Sequence, residues 1–149
     1  MSQSGRPVKL VAVRFYVDAD VLGLAKILCQ VRADVTYPGD PGGPVKGGRV
    51  RPACPITTPA TLDSVWIPTT AKQGWLIITR DRHIQDHEAE KRAVVEHGAR
   101  MVALAGGDAK DSWHQLETLM TQWRKIEALL HEPGPYIYTV ARTSIRRVF

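Results

Sequence analysis

Five aspartates carry the chemistry open to this chain: Asp18, Asp20, Asp63, Asp81 and Asp86. Asp18 and Asp20 close the string FYVDAD, Asp63 opens a helical pattern at TLDSVW, and Asp81 directly follows the run WLIITR. Carboxylates that meet at one place repel each other unless a cation joins them, and hard oxygen donors favour Mg²⁺ or Mn²⁺. An ion held in this way activates water and stabilises charge on a phosphate, so a phosphodiester can be hydrolysed without a protein nucleophile. Any one of these aspartates could instead cap a helix or satisfy a turn; their joint placement is what favours the metal site.

Positioning them requires strands that end in acid. Trp75 to Thr79 is a β-prone apolar run between Gly74 and a charged cluster, the pattern of a strand buried on both faces. In an open α/β sheet the residues just past the carboxyl end of a strand line the ligand crevice, which is where Asp81 falls. Leu10 to Val17 is a second such strand, made ragged by Arg14, and it delivers Asp18 and Asp20 before a helix over Val21 to Val31. Asp34 to Tyr37 is predicted as a strand, and Pro38 to Pro59 as a long Gly/Pro-rich loop holding Lys46, Arg49 and Arg51. Loops of that length are usually functional or mobile, so the segment reads either as a substrate-contacting flap or as disorder. Its GGPVKGG lacks the spacing of a phosphate-binding loop.

Thr61 is a candidate N-cap for a helix running to Gly74, which Pro68 should kink or restart. Further elements are a helix over Asp86 to His97, a strand over Met101 to Leu104, a helix over Ser112 to His131 and a strand over Tyr136 to Val140. Trp113, Leu116, Met120, Trp123 and Leu130 share one face of the long helix, a stripe expected to enter the core. Alternating strands and helices predict a three-layer α/β/α sandwich around a mainly parallel sheet. We expect one domain over residues 8–149 behind a flexible lead-in, 1–7.

Composition limits the function classes. With 149 residues, 44% hydrophobic and 23% charged, the chain can fill one core and not two. No apolar run reaches the roughly 20 residues of a membrane span, and Met1 to Pro7 lacks the apolar segment of a secretory signal, so a cytoplasmic location is expected. Cys29 and Cys54 have no zinc or redox spacing. The formal charge of +5 favours a polyanionic partner.

The strings FYVDADVLGLAKIL, TLDSVWIPTTAKQGW and LIITRDRHI, within Phe15 to Leu104, resemble the PIN-domain family of metal-dependent ribonucleases, in particular the VapC-type toxins and PIN-like proteins. The resemblance implies a PIN-like fold and hydrolysis of RNA with Mg²⁺ or Mn²⁺. It further implies a small antitoxin protein as partner, with no membrane association, and leaves a homodimer open. By it, Asp18 takes the first acidic position, Asp63 the second and Asp81 the third, while Thr79 lines the site. The family commonly has a further acid soon after the third; this chain has Arg82 and His83 there and supplies Asp86 later, so Asp20 and Asp86 both stand as additional ligands. Arg80 and Arg82 are placed for phosphate contact.

Two rival readings stay open. DADV also resembles the nucleophile motif of haloacid-dehalogenase-type phosphatases, with Asp18 attacking phosphate, Asp20 as general acid, and Thr79, Asp108 and Asp111 in later motifs. Against it, a helical pattern begins directly at Val21 where those enzymes have a turn and flap, and Lys91 falls mid-helix instead of at a strand end. The other rival is a non-catalytic PIN-like module that binds RNA or protein. His83 and His87 read as polar residues at a helix start, and Trp66 and Trp75 as structural.

Overall fold

The computed structural model describes residues 7–80 and 88–149. The main sheet is built from Phe15–Val17 (β2), Val35–Thr36 (β3), Leu76–Arg80 (β6), Arg100–Leu104 (β7), Tyr136–Val140 (β8) and Ile145–Arg147 (β9). Its order is β3-β2-β6-β7-β8-β9, parallel throughout except for the antiparallel edge strand β9. Phe15, Val17, Leu76, Ile78, Val102 and Leu104 face one side, and pack there with Leu24 and Leu28 of Leu22–Val31 (α1) and Leu119 and Ile126 of Ser112–Ala128 (α4). The alternating residues Tyr16, Ile77, Met101 and Ile137 face the other side, against Trp66 and Ile67 of Asp63–Gln73 (α2) and Val94 of Glu88–His97 (α3). This is the expected α/β/α sandwich with a mostly parallel sheet.

The chain leaves β2 through α1 to β3 on one side, then returns to place β6 on the other side of β2. The carboxyl ends of β2 and β6 therefore flank a topological switch point, where a crevice opens because successive connections diverge.

Several elements depart from the sequence expectation. The first strand is split into Lys9–Leu10 (β1) and Phe15–Val17. Arg14 causes the break: its N–H donates to the Asp34 carbonyl and its guanidinium donates to the Asp34 carboxylate at 2.7 Å. The segment 38–59 contains a hairpin, Gly43–Val45 (β4) and Arg49–Arg51 (β5), that pairs with β1 in a separate sheet of order β1-β5-β4. Asp40 fastens this segment from within. It is 2% exposed and accepts two bonds from Arg51 at 2.8 and 3.1 Å, one from the Thr36 hydroxyl and one from the Gly42 N–H. Gly42 is required here, since at φ +69° a Cβ would collide with the Arg51–Ala53 backbone.

Thr61 does not cap α2; its hydroxyl donates to the Thr58 carbonyl, and Leu62 stands at the N-cap without a side-chain bond. The helix runs through Pro68 unbroken, held by the burial of Trp66, Ile67 and Thr70, and ends at Gly74 with φ 75°. On α4 the predicted stripe is divided: Leu116, Trp123 and Leu130 are half-buried and pack against the core as expected, while Trp113 is 73% and Met120 69% exposed. The face that enters the core carries Gln115, Thr118, Leu119, Gln122 and Ile126. Its polar members are satisfied by loop carbonyls: Gln115 donates to Ala109, Thr118 to Asp108, and Gln122 to Ala141 and Arg142. Those bonds offset the cost of burying amides, so a face of mixed polarity is fully buried while the apolar stripe lies at its edge.

Candidate active site

At the end of β2 the backbone of Asp18 is still extended, and its N–H donates to the Ile78 carbonyl of β6 at 2.9 Å. Its carboxylate caps the 3-10 turn Ala19–Val21 by accepting from the Ala19 N–H at 2.6 Å. This turn leads directly into α1 and brings Asp20 back toward the same place. Between the two acids lies Thr79, 3% exposed at the end of β6. Its hydroxyl is 3.0 Å from Asp18 Oδ2 and 3.2 Å from both Asp20 carboxylate oxygens, and its one proton can serve only one acceptor at a time. The Arg80 N–H points to Asp20 at 3.4 Å.

A cleft of about 370 Å³ opens over this junction, and Asp63, Trp66, Arg80 and Glu90 line it together with Asp18, Asp20 and Thr79. Asp63 comes from the first turn of α2, where the Trp66 indole N–H donates to its Oδ1 at 2.8 Å and fixes its direction. Glu90 comes from the first turn of α3. Sequence reasoning missed Glu90, because an acid at a helix start already has an explanation in the helix dipole. The signal that could have found it is its spacing of four residues, about one helical turn, from Asp86 in the sequence.

Carboxylates predominate among the described side chains that line this cleft. Burial pushes the Asp18 carboxyl up, the neighbouring Asp20 adds to this, and Glu90 contributes a little; the bonds from Ala19 and Thr79 offset only part, leaving it at about 7. Among the described residues, no group of three or more His, Cys, Asp or Glu side chains is gathered tightly enough to hold a metal ion. The structure thus brings Asp18, Asp20, Asp63, Thr79 and Arg80 to one cleft. Asp81, Arg82 and Asp86, with His83 and His87, lie outside the described residues. Among the described residues, the donors that line the cleft are all oxygen, the chemistry that suits a hard divalent cation.

A family model described as a PIN-like domain matches residues 45–106. The protein named "Putative ribonuclease VapC45" from Mycobacterium tuberculosis is 31% identical over 86 residues, covering 58% of this chain and 62% of that relative. Residues 45–106 are thus similar to a PIN-like domain. The matched stretch includes Asp63, Thr79, Arg80, Asp81 and Glu90, whereas β2 with Asp18 precedes it. The chain spans less than two thirds of the length of the curated relative that it matches. No solved structure matches the chain.

Proposed function

We propose that this PIN-like domain is a ribonuclease that hydrolyses RNA phosphodiesters with a bound Mg²⁺ or Mn²⁺. One observation carries the reading: at the switch point of the sheet, Asp18 and Asp20 meet across a single hydroxyl in a cleft also lined by Asp63 and Glu90. Carboxylate oxygens grouped in this way are the donors that a hard divalent cation takes. Asp18, Asp63 and Asp81 are the proposed ligands and catalytic acids, with Asp20 and Asp86 as further ligands and Glu90 added from the geometry. The ion supplies an activated water and charge stabilisation at the phosphate.

The chain's own residues do the rest. Thr79 holds the Asp18 and Asp20 carboxylates in register through its hydroxyl, and Trp66 holds Asp63. Arg80 at the cleft wall, and Arg82 beyond it, meet the phosphate backbone of the RNA. The name of the curated relative supports a toxin of the VapC type held in check by a small antitoxin protein, and an arginine from that partner could neutralise the same acids. No helix among the described residues is long and apolar enough to cross a membrane; a cytoplasmic site of action fits that reading.

The 3-10 turn that joins Asp20 directly to α1 leaves no flap after the DADV motif, which favours the nuclease over the phosphatase. The test is RNA cleavage by the purified chain with Mg²⁺ or Mn²⁺, and then with EDTA. Cleavage that stops with chelator supports the proposal; cleavage that persists sinks it. Turnover of p-nitrophenyl phosphate dependent on Asp18 would move the assignment to the phosphatase. Growth inhibition on expression, relieved by Asp81→Asn and by co-expression of an adjacent small reading frame, would support the toxin role.

A further inference from the structure

A furrow of the opposite charge lies at the other end of β2 from the acidic cleft. Two hollows of about 410 and 520 Å³ adjoin there, between the small sheet and the turn from α1 to β3, and share Val31, Arg32, Ala33 and Arg49. Among the described residues, the cations Arg14, Arg32, Lys46, Arg49 and Arg51 line this furrow against one carboxylate, Asp34. The fold neutralises some of them. Arg14 and Arg32 are shared between Asp34 and Glu127, and Arg51 is held by the buried Asp40. Lys46 and Arg49, at the exposed tip of the β4–β5 hairpin, have no carboxylate partner among the described residues. Lys9 adds to the imbalance, because the parallel pairing of β1 with β5 sets it beside Arg49. Side chains in register on neighbouring strands share a face, where like charges repel unless an anion joins them.

Cations spread along an open furrow suit an anion whose charges are also spread. Lysine and the planar guanidinium both bind phosphate, and the walls between the cations are apolar, with Val31, Ala33 and Val45. A single RNA strand can lay sugars and bases on such walls, whereas an acidic polypeptide would cover them with backbone amides that lack partners. The distance to the cleft favours RNA further. From Arg14 to Asp18 the extended chain advances by four residues, about 13 Å, or about four steps of a stacked strand at about 3.4 Å each. An RNA held in the cleft therefore brings its own distal phosphates to the furrow at high effective concentration. We propose that this furrow is a second contact site for the RNA substrate, in which Lys9, Lys46 and Arg49 hold backbone phosphates about four or more nucleotides from the bond that is cut. The inference rests on the reading of RNA as the substrate.

The test is fluorescence anisotropy of a labelled oligouridylate of about 20 nucleotides, a length that spans both sites, with the full chain in EDTA. The wild-type chain binds it, and the affinity falls as salt rises. Lys46→Glu with Arg49→Glu weakens binding at least about tenfold, and the slope of log K against log salt falls by about 1.4, two phosphate contacts at about 0.7 each. Lys72→Glu with Arg92→Glu makes the same change of charge at exposed positions of α2 and α3, in the opposite layer, and weakens binding less than about threefold. If the reversals at the hairpin tip fail to fold, Lys46→Gln with Arg49→Gln decides by the same two readouts. With Mn²⁺, the kcat/KM of the long RNA relative to that of a uridine trimer, too short to reach the furrow, falls about tenfold in Lys46→Glu with Arg49→Glu. Absence of cleavage by the wild-type chain refutes the nuclease reading, and the furrow is then judged by binding in EDTA alone. Wild-type chain that does not bind the long RNA in EDTA overturns the proposal, as does hairpin-tip variation without effect, an equal loss in the α2–α3 control or an unchanged ratio of the two substrates. Tighter binding of a polyglutamate of similar length also overturns it, in favour of an acidic protein.

Discussion

Asp18, directly after β2 and half-buried, and Asp40, four residues past β3 and buried, are both withdrawn from water, and the fold treats them in opposite ways. Around Asp40, burial pushes the carboxyl up, but the two bonds from Arg51, with those from Gly42 and Thr36, outweigh it and hold the group below the usual carboxylate range. Around Asp18, burial and Asp20 act together and raise the group to about 7. One aspartate has its countercharge built into the chain and serves to fasten a Gly/Pro-rich segment. The other is grouped with further acids, an arrangement that costs stability and is retained where an external cation completes it.

The largest expected effect separates the two by activity. Asp18→Asn removes RNA cleavage by at least about 100-fold, measured with saturating Mn²⁺, whereas Arg51→Met leaves the rate per folded molecule unchanged. Stability follows the reverse order. Arg51→Met strands a buried carboxylate and lowers the unfolding free energy by about 3–5 kcal/mol, read from urea denaturation, whereas Asp18→Asn without metal is as stable as the wild type or more so. Equal destabilisation by both substitutions would end the contrast.

Acidity sharpens it next. The unfolded Asp18 titrates near about 3.9 and the folded one at about 7. Between those values the folded chain holds a proton that the unfolded chain has lost, so metal-free stability falls as pH rises through the window and recovers on lowering pH from 8 to 5. Asp40 works the other way: its contribution is full above the unfolded value and is lost as pH falls through its depressed folded value. Melting temperatures of the metal-free chain from pH 8 to 5 should rise, and Asp18→Asn should flatten that slope. The smallest effect concerns Trp66→Phe, which removes the N–H that orients Asp63. It should weaken Mn²⁺ binding about tenfold, measured by calorimetry, with little change in folding.

Much of this was legible from residue order. Short apolar runs ending in acid marked the ends of β2 and β6, because a strand buried on both faces leaves few other sequence patterns. Glu90 was not legible, since only the packing of α3 beside the cleft shows that its first turn faces Asp18. The Asp40–Arg51 pair was hidden for a different reason: two charges eleven residues apart in an aperiodic segment carry no spacing signal, and the loop reading followed from that. On α4 the periodicity identified a helix and, in Leu116, Trp123 and Leu130, residues that pack against the core, but not that Trp113 and Met120 turn outward. Gln115, Thr118 and Gln122 carry no apolar signal, and it is the loop carbonyls accepting from them that allow their burial.

The bond from Thr79 to Asp18 spans 61 positions of sequence. No local segment can assemble that junction; the strands β2 and β6 must already lie side by side. Ion uptake is therefore tied to the cooperative folding of the whole domain, and a tightly bound cation should raise the melting temperature in proportion to the logarithm of its concentration. A fragment limited to residues 45–106 would lack β2 altogether, and no addition of metal would bring the missing half of the junction to it.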